Sequence, residues 1–200
     1  MKISNVKKQI GDFLLDIKEM DIPLGSMYGI VGDNGCGKTT AMKIIAKIIE
    51  ADSGYIDYEG LTARDITMVF RNSYMMRDTV LKNVLYPLVL RKIKPDMQKV
   101  EYFLEIADLQ NSREKYAPGL SGGQQQKLAL IRAMIFSPKL VLIDEAFSNL
   151  DRESVDVFTQ LILERHRLES TTFIICSHQP SQIERLCSHV FTMENGRTRL

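Results

Sequence analysis

The amino-acid sequence predicts an α/β domain on a mostly parallel sheet buried on both faces. Short runs rich in β-branched residues alternate with stretches of helical pattern, and the runs are nearly all apolar rather than alternating apolar with polar. The 200 residues, 44% of them hydrophobic, suffice for one such domain with a substantial core.

In chain order, strands are expected at Met27–Val31, Ile66–Phe70, Leu140–Ile143, Thr171–Ser177 and Val190–Met193, with weaker patterns at Phe13–Ile17 and Tyr55–Tyr58. Helices are expected at Thr39–Ile49, Asp96–Ala107, Ser121–Phe136, Ser154–Glu169 and Ser181–Leu186. One region breaks the alternation. From about Tyr74 to Gly119 the chain reads as helical, rich in Leu, Val and Met and punctuated by Pro87, Pro95 and Pro118. An ordinary crossover between parallel strands needs one helix. Residues 73–119 are therefore read as a helical subdomain inserted into a single domain, with 1–72 and 120–200 as its core.

A formal net charge of +1 gives no bulk electrostatic case for nucleic acid or an anionic membrane surface as partner. Cys36, Cys176 and Cys187 form no CxxC pair, which suits a reducing compartment. No apolar stretch approaches the roughly 18–20 residues that span a bilayer. The opening MKISNVKKQIGD lacks the apolar run of a signal peptide. The expectation is a cytoplasmic protein that serves a membrane, if at all, from the inner face through a partner chain.

Gly32-Asp33-Asn34-Gly35-Cys36-Gly37-Lys38-Thr39-Thr40 fits G-x-x-x-x-G-K-[ST], with the apolar strand MYGIV before it and the helical TTAMKIIAKII after it. In such a loop the glycines let consecutive N–H groups turn inward around phosphates, and the helix N-terminus adds partial positive charge. Lys38 supplies a point charge to the outer phosphates. The Thr39 hydroxyl is suited to Mg²⁺ and that of Thr40 to an inner phosphate. Farther along, four apolar residues, Leu140–Ile143, end in Asp144 and Glu145. At the C-terminal edge of a parallel strand, acids emerge where α/β folds bind ligands. Asp144 suits Mg²⁺, through a water, and Glu145 suits a general base that polarises the attacking water.

Leu120-Ser121-Gly122-Gly123-Gln124 followed by QQKLALIRAM resembles the signature segment of the ATP-binding cassette (ABC) family, and the resemblance extends from about Lys2 to the closing MENGRTRL. Physically it is a second anion-binding turn opening a helix; the plain alternative is a helix cap. The resemblance implies a P-loop NTPase fold with N-terminal antiparallel β strands, a mostly parallel central sheet and the inserted helical subdomain. It implies a head-to-tail dimer, with itself or a sister cassette, in which Ser121, Gly122, Gly123 and Gln124 of one subunit close over ATP held by the other. Ser148-Asn149-Leu150-Asp151 resembles the family's D-loop near the nucleotide, although Asp151 is also a natural cap for the next helix. His178, after TTFIICS, resembles the switch histidine that contacts the γ-phosphate; His166 and His189 have no such setting.

Two departures from the family pattern stand out. Where the family carries a Mg²⁺-binding Gln after V-F, this chain has Arg71, whose guanidinium offers no acceptor and is suited instead to a phosphate or a carboxylate. Asn72 has suitable chemistry, but a one-residue shift turns it to the other side. Where the family stacks adenine on an aromatic ring, this chain has Ile10; Phe13 is close enough to substitute and equally suited to the strand's core.

In transporter relatives a helix of the membrane subunit docks beside that Gln position, here Arg71–Arg77. Tyr74, Met75 and Met76 suit either an adaptable docking surface or subdomain core. The segment TVLKNV, Thr79–Val84, resembles one common in transporter ATPases. The reading is thus a transporter ATPase, with a small-solute importer preferred to an exporter. The alternatives are a cassette acting in DNA repair, chromosome organisation or on the ribosome, and a regulatory subunit that hydrolyses little. One cassette without heptad runs or Cys clusters disfavours the former; Glu145 and His178 disfavour the latter.

Overall fold

The computed structural model describes residues 1–177 and 180–199. Two sheets organise the chain. The larger has the strand order β5-β6-β7-β3-β8-β9, made of β5 (Ile66–Val69), β6 (Leu140–Asp144), β7 (Thr172–Cys176), β3 (Met27–Val31), β8 (His189–Glu194) and β9 (Arg197–Arg199). Its first five strands run parallel, and β9 returns antiparallel to β8. Every residue of β6 and β7 is buried.

Those strands separate two cores. Val141, Ile143, Phe173 and Ile175 face one, which is closed by helices α2 (Val80–Arg91), α3 (Met97–Ile106), α4 (Gly122–Met134), α5 (Arg152–Glu169) and α6 (Pro180–Leu186). Leu140, Leu142, Ile174 and Cys176 face the other, under helix α1 (Lys38–Ile45) and the small sheet. The two-residue period of a strand sends alternate side chains to opposite faces, so continuous apolar runs fill both cores.

The smaller antiparallel sheet has the order β2-β1-β4, from β1 (Lys2–Ile10), β2 (Phe13–Asp21) and β4 (Ser53–Asp57). β1 and β2 form a hairpin through Gly11-Asp12, which brings Ile10 opposite Phe13. α1 ends at Ile45, short of the expected Ile49. The Tyr58 hydroxyl donates to the carbonyls of Ile44 and Ile45 at 3.3 and 3.1 Å, and Lys47 turns into the left-handed region (φ 59°).

Between β5 and β6 the chain forms α2 and α3. Pro87 lies inside α2 rather than ending it; burial of Val80, Val84 and Leu88 outweighs the lost backbone bond. Asn83, wholly buried, organises the approach to α2. Its Oδ1 accepts from Met76 N (2.9 Å) and Arg132 Nη1 of α4 (3.2 Å), and its Nδ2 donates to the carbonyls of Thr79 (2.9 Å) and Met76 (3.2 Å).

Candidate nucleotide site

The loop from Gly32 to Gly37 joins β3 to α1 and closes on itself. Lys38 is buried, and its Nζ donates to the carbonyls of Gly32 and Asp33 at 2.7 and 2.9 Å. Gly32 sits at φ 149°, and a Cβ there would stand 2.1 Å from the Met193 carbonyl oxygen, so the turn admits no side chain. Gly37 sits at φ 108° with Phe13 across it: a Cβ would lie 2.9 Å from Phe13 Cζ. No side chain caps α1 at Gly37, so its first-turn N–H groups are left to a ligand.

Thr39 Oγ1 donates to Asp144 Oδ2 at 2.7 Å, which joins the loop to the end of β6. Burial pushes the Asp144 carboxyl above the usual carboxylate range and the charge of Glu145 adds to this, while the Thr39 bond opposes it. A hydroxyl and a carboxylate oxygen this close are hard donors of the kind Mg²⁺ takes, and a cation there would offset the cost of burying the charge.

Glu145 is half-buried and adopts φ 51°, uncommon for a non-glycine residue. Its N–H donates to the Cys176 carbonyl at 3.0 Å, and its own carbonyl accepts from Ser148 Oγ at 3.0 Å. Such a backbone, held from both sides, is characteristic of functional positions. Arg71 Nη1 lies 3.2 Å from Glu145 Oε2. A cavity of about 330 Å³ gathers Lys38, Thr39, Thr40 and Glu145 with Asn34, Gly35 and Gly37, flanked by Ile10 and Phe13.

Ser121–Gln124 takes no part in lining that cavity. It stands at the N-terminus of α4 with Ser121 and Gly122 exposed and Gly123 and Gln124 half-buried. Ser121 Oγ accepts from Gln124 N (3.3 Å), and Gln124 Oε1 accepts from Ser121 N (3.2 Å), a reciprocal cap. Asp151 caps α5, its Oδ1 accepting from Ser154 N at 2.8 Å. His178 lies outside the described residues.

The expected docking stretch divides. Met75 is core, whereas Tyr74 is exposed and, with Met76, lines a groove of about 380 Å³ between β5, α2 and α4. The sequence left Arg71 to a phosphate or a carboxylate, and the structure pairs it with Glu145, 74 positions away; sequence reasoning missed the bond from buried Gln126 Nε2 to the Phe70 carbonyl (3.1 Å). Gln126 stood out only as one of three consecutive glutamines.

A glycine-rich loop between a parallel strand and a helix, with two acids at the end of a strand one place removed in the same sheet, defines a P-loop nucleotide-binding domain. The ABC transporter family model matches residues 15–148. The chain is 34% identical over 202 residues to the tungstate uptake system ATP-binding protein TupC of Peptoclostridium acidaminophilum, covering 98% of this chain and 94% of that one. It is also 34% identical to a probable sulfate/thiosulfate import ATP-binding protein, CysA, of Chlorella vulgaris, covering 98% and 87%. Among solved structures it is similar to a dimeric ATP-binding cassette in a post-hydrolysis state bound to ADP and Pi (TM-score 0.86, 25% identity, covering 100% of this chain and 96% of that one). The chain belongs to the ABC transporter family and is an ATP-binding cassette with ATPase activity.

Proposed function

We propose that this chain is the ATP-hydrolysing subunit of a small-solute importer, paired head-to-tail with a second cassette around two ATP molecules. One observation carries the reading: the turn Ser121–Gln124 is exposed at Ser121 and Gly122 and takes no part in lining the cavity over Lys38, so in this reading a second chain brings the two together. The similarity to a dimeric cassette and to two import ATP-binding proteins supports it; tungstate and sulfate are the first solutes to test.

In this reading the N–H groups of the loop and Lys38 hold the outer phosphates, Thr40 holds an inner one, and Ile10 and Phe13 flank the base. Thr39 and Asp144 would hold Mg²⁺, which when bound neutralises phosphate charge during cleavage. Glu145 takes a proton from the attacking water, and its fixed backbone aims the carboxylate. The partner's signature turn excludes water from the phosphates, and Asp151 stands near the junction. His178 is assigned the γ-phosphate contact by resemblance.

Membrane subunits dock at the groove beside Arg71–Arg77, with Tyr74 and Met76 as its apolar contacts. Among the described residues no helix is long and apolar enough to cross a membrane, so translocation falls to those partners. Residues 73–119 act as a subdomain that transmits closure of the dimer to them. The cassette works at the inner face of the membrane.

The test is Glu145→Gln, which retains ATP binding but lacks the base. With ATP and Mg²⁺ the variant should elute at twice the monomer mass, and with ADP as a monomer. Elution as a monomer with saturating ATP would overturn the head-to-tail reading.

A further inference from the structure

We propose that the acidic cavity beside the phosphate loop, walled in part by Asp16, receives Lys115 of a second copy of this chain, so that a charged contact outside the nucleotide helps hold two cassettes together. The proposal rests on the head-to-tail pairing around ATP and adds a site to it.

The cavity measures about 670 Å³ and is bordered by Asp33–Cys36 of the phosphate loop. Four carboxylates, those of Asp12, Asp16, Asp33 and Glu194, line it against one cation, Arg197. Asp16 is only 7% exposed, and its Oδ1 has no hydrogen-bond partner among the described residues. Its Oδ2 lies 3.5 Å from Nζ of the largely exposed Lys18, a long contact of the weak surface kind. Backbone bonds fix the walls: Asp16 N donates to the Gly196 carbonyl (2.7 Å) and Gly196 N to the Cys36 carbonyl (3.0 Å). A buried carboxylate oxygen without a partner raises the free energy of the fold until a cation or a donor reaches it. Among the described residues no three metal-ligating side chains are grouped closely enough to hold a metal ion. Carboxylates spread round so wide a space suit a long cation.

Position points to the source. The cavity shares Phe13, Asn34 and Gly35 with the nucleotide cavity. The turn Ser121–Gln124 of a second copy, closing over the nucleotide, therefore brings its flanking residues alongside. Four cations flank that turn: Arg113, Lys115, Lys127 and Arg132. Arg113 is bridged to Glu101 and Glu114. Arg132 is bound to Asn83 and the Tyr74 carbonyl. Lys127 lines a separate cavity with Asp151. Lys115 is exposed, and none of the ion pairs among the described residues involves it. It stands six positions before Ser121, no farther than about 20 Å at full extension. An ammonium on a four-carbon stem reaches into such a space and offers three donors to the carboxylates around it. Opposite charges across a pairing surface set its register as well as its strength.

The test is a double-mutant cycle on the ATP-bound dimer, measured by sedimentation with ATP and Mg²⁺ in the Glu145→Gln background. Lys115→Ala should raise the dimer dissociation constant about tenfold, and by much less when Asp16→Asn is also present. Asp12→Lys, a change at the exposed hairpin turn, should weaken the dimer by a similar factor, and adding Lys115→Glu to it should restore most of the loss. ATP binding to a single chain, followed by fluorescence titration, should be the same throughout. Equal losses from Lys115→Ala with and without Asp16→Asn would refute the contact, as would a swapped pair no tighter than Asp12→Lys alone; if Asp16→Asn does not fold, the swapped pair decides. Saturable binding of spermidine to the single chain, with a dimer indifferent to Lys115, would give the cavity to a small polycation and refute the second copy as its occupant. A Glu145→Gln chain that stays monomeric in ATP with Lys115 intact would overturn the head-to-tail reading itself.

Discussion

Two helices of this chain begin at glycine-bearing turns, and they treat their first N–H groups in opposite ways. At α1 no side chain caps the helix, the lysine is folded inward against its own loop, and the amides are left to a ligand. At α4, Ser121 and Gln124 cap each other and the turn lies at the surface. The first turn leaves its amides uncapped by any side chain, open to a phosphate. The second is already satisfied, and it engages an anion only by exchanging its own hydrogen bonds for new ones. A self-satisfied turn binds weakly alone and contributes when another surface delivers the ligand to it.

The largest effect that would sharpen this contrast is expected from Lys38→Ala. Turnover should fall about 10³-fold, the magnitude for a lost phosphate-stabilising group, and ATP binding to a single chain should disappear in a fluorescence titration. Next is Ser121→Glu, which sets a negative charge where the partner's phosphates arrive. Turnover should fall about 10²-fold while binding to one chain, measured the same way, stays unchanged. Equal loss of both would break the distinction between the two turns. A smaller effect is expected from Ser121→Ala, which removes a cap and should cost about 1 kcal/mol in urea unfolding.

The smallest effect concerns pH. The N–H of Ser154 holds the Asp151 carboxyl below its usual range. A depressed carboxyl stabilises the fold above the unfolded value of about 3.9 and loses that contribution as pH falls from there through the lower folded value. Asp151→Asn, which keeps a capping oxygen without the charge, should flatten the acid limb of the urea midpoint against pH.

The central strands were legible because residues such as Val141 and Leu142 must be apolar on both faces, a pattern that few other structures produce. β1 was hidden because KISNVKKQI covers only one core and carries three lysines. β9 is three polar residues at a sheet edge, with no pattern to detect. The phosphate loop and acid pair could be read because their chemistry is local and ordered along the chain. Which carboxylate Arg71 would meet could not, because that depends on β5 lying beside β6. Phe13 was open between two roles, and its position across Gly37 and on the cavity wall allows it to serve both.

Asn83 has a consequence for how this chain can be altered or exchanged. One amide ties the backbone at Met76 to the Arg132 guanidinium, so the stretch before α2 and the last turn of α4 form a matched set although far apart in sequence. A chimera that imported residues 73–92 from a sister cassette while keeping the resident α4 would pair mismatched donors and acceptors in a dry interior. Recombination in this protein has to carry both pieces together, and a breakpoint between them would be purged for its packing before its transport specificity could be tried.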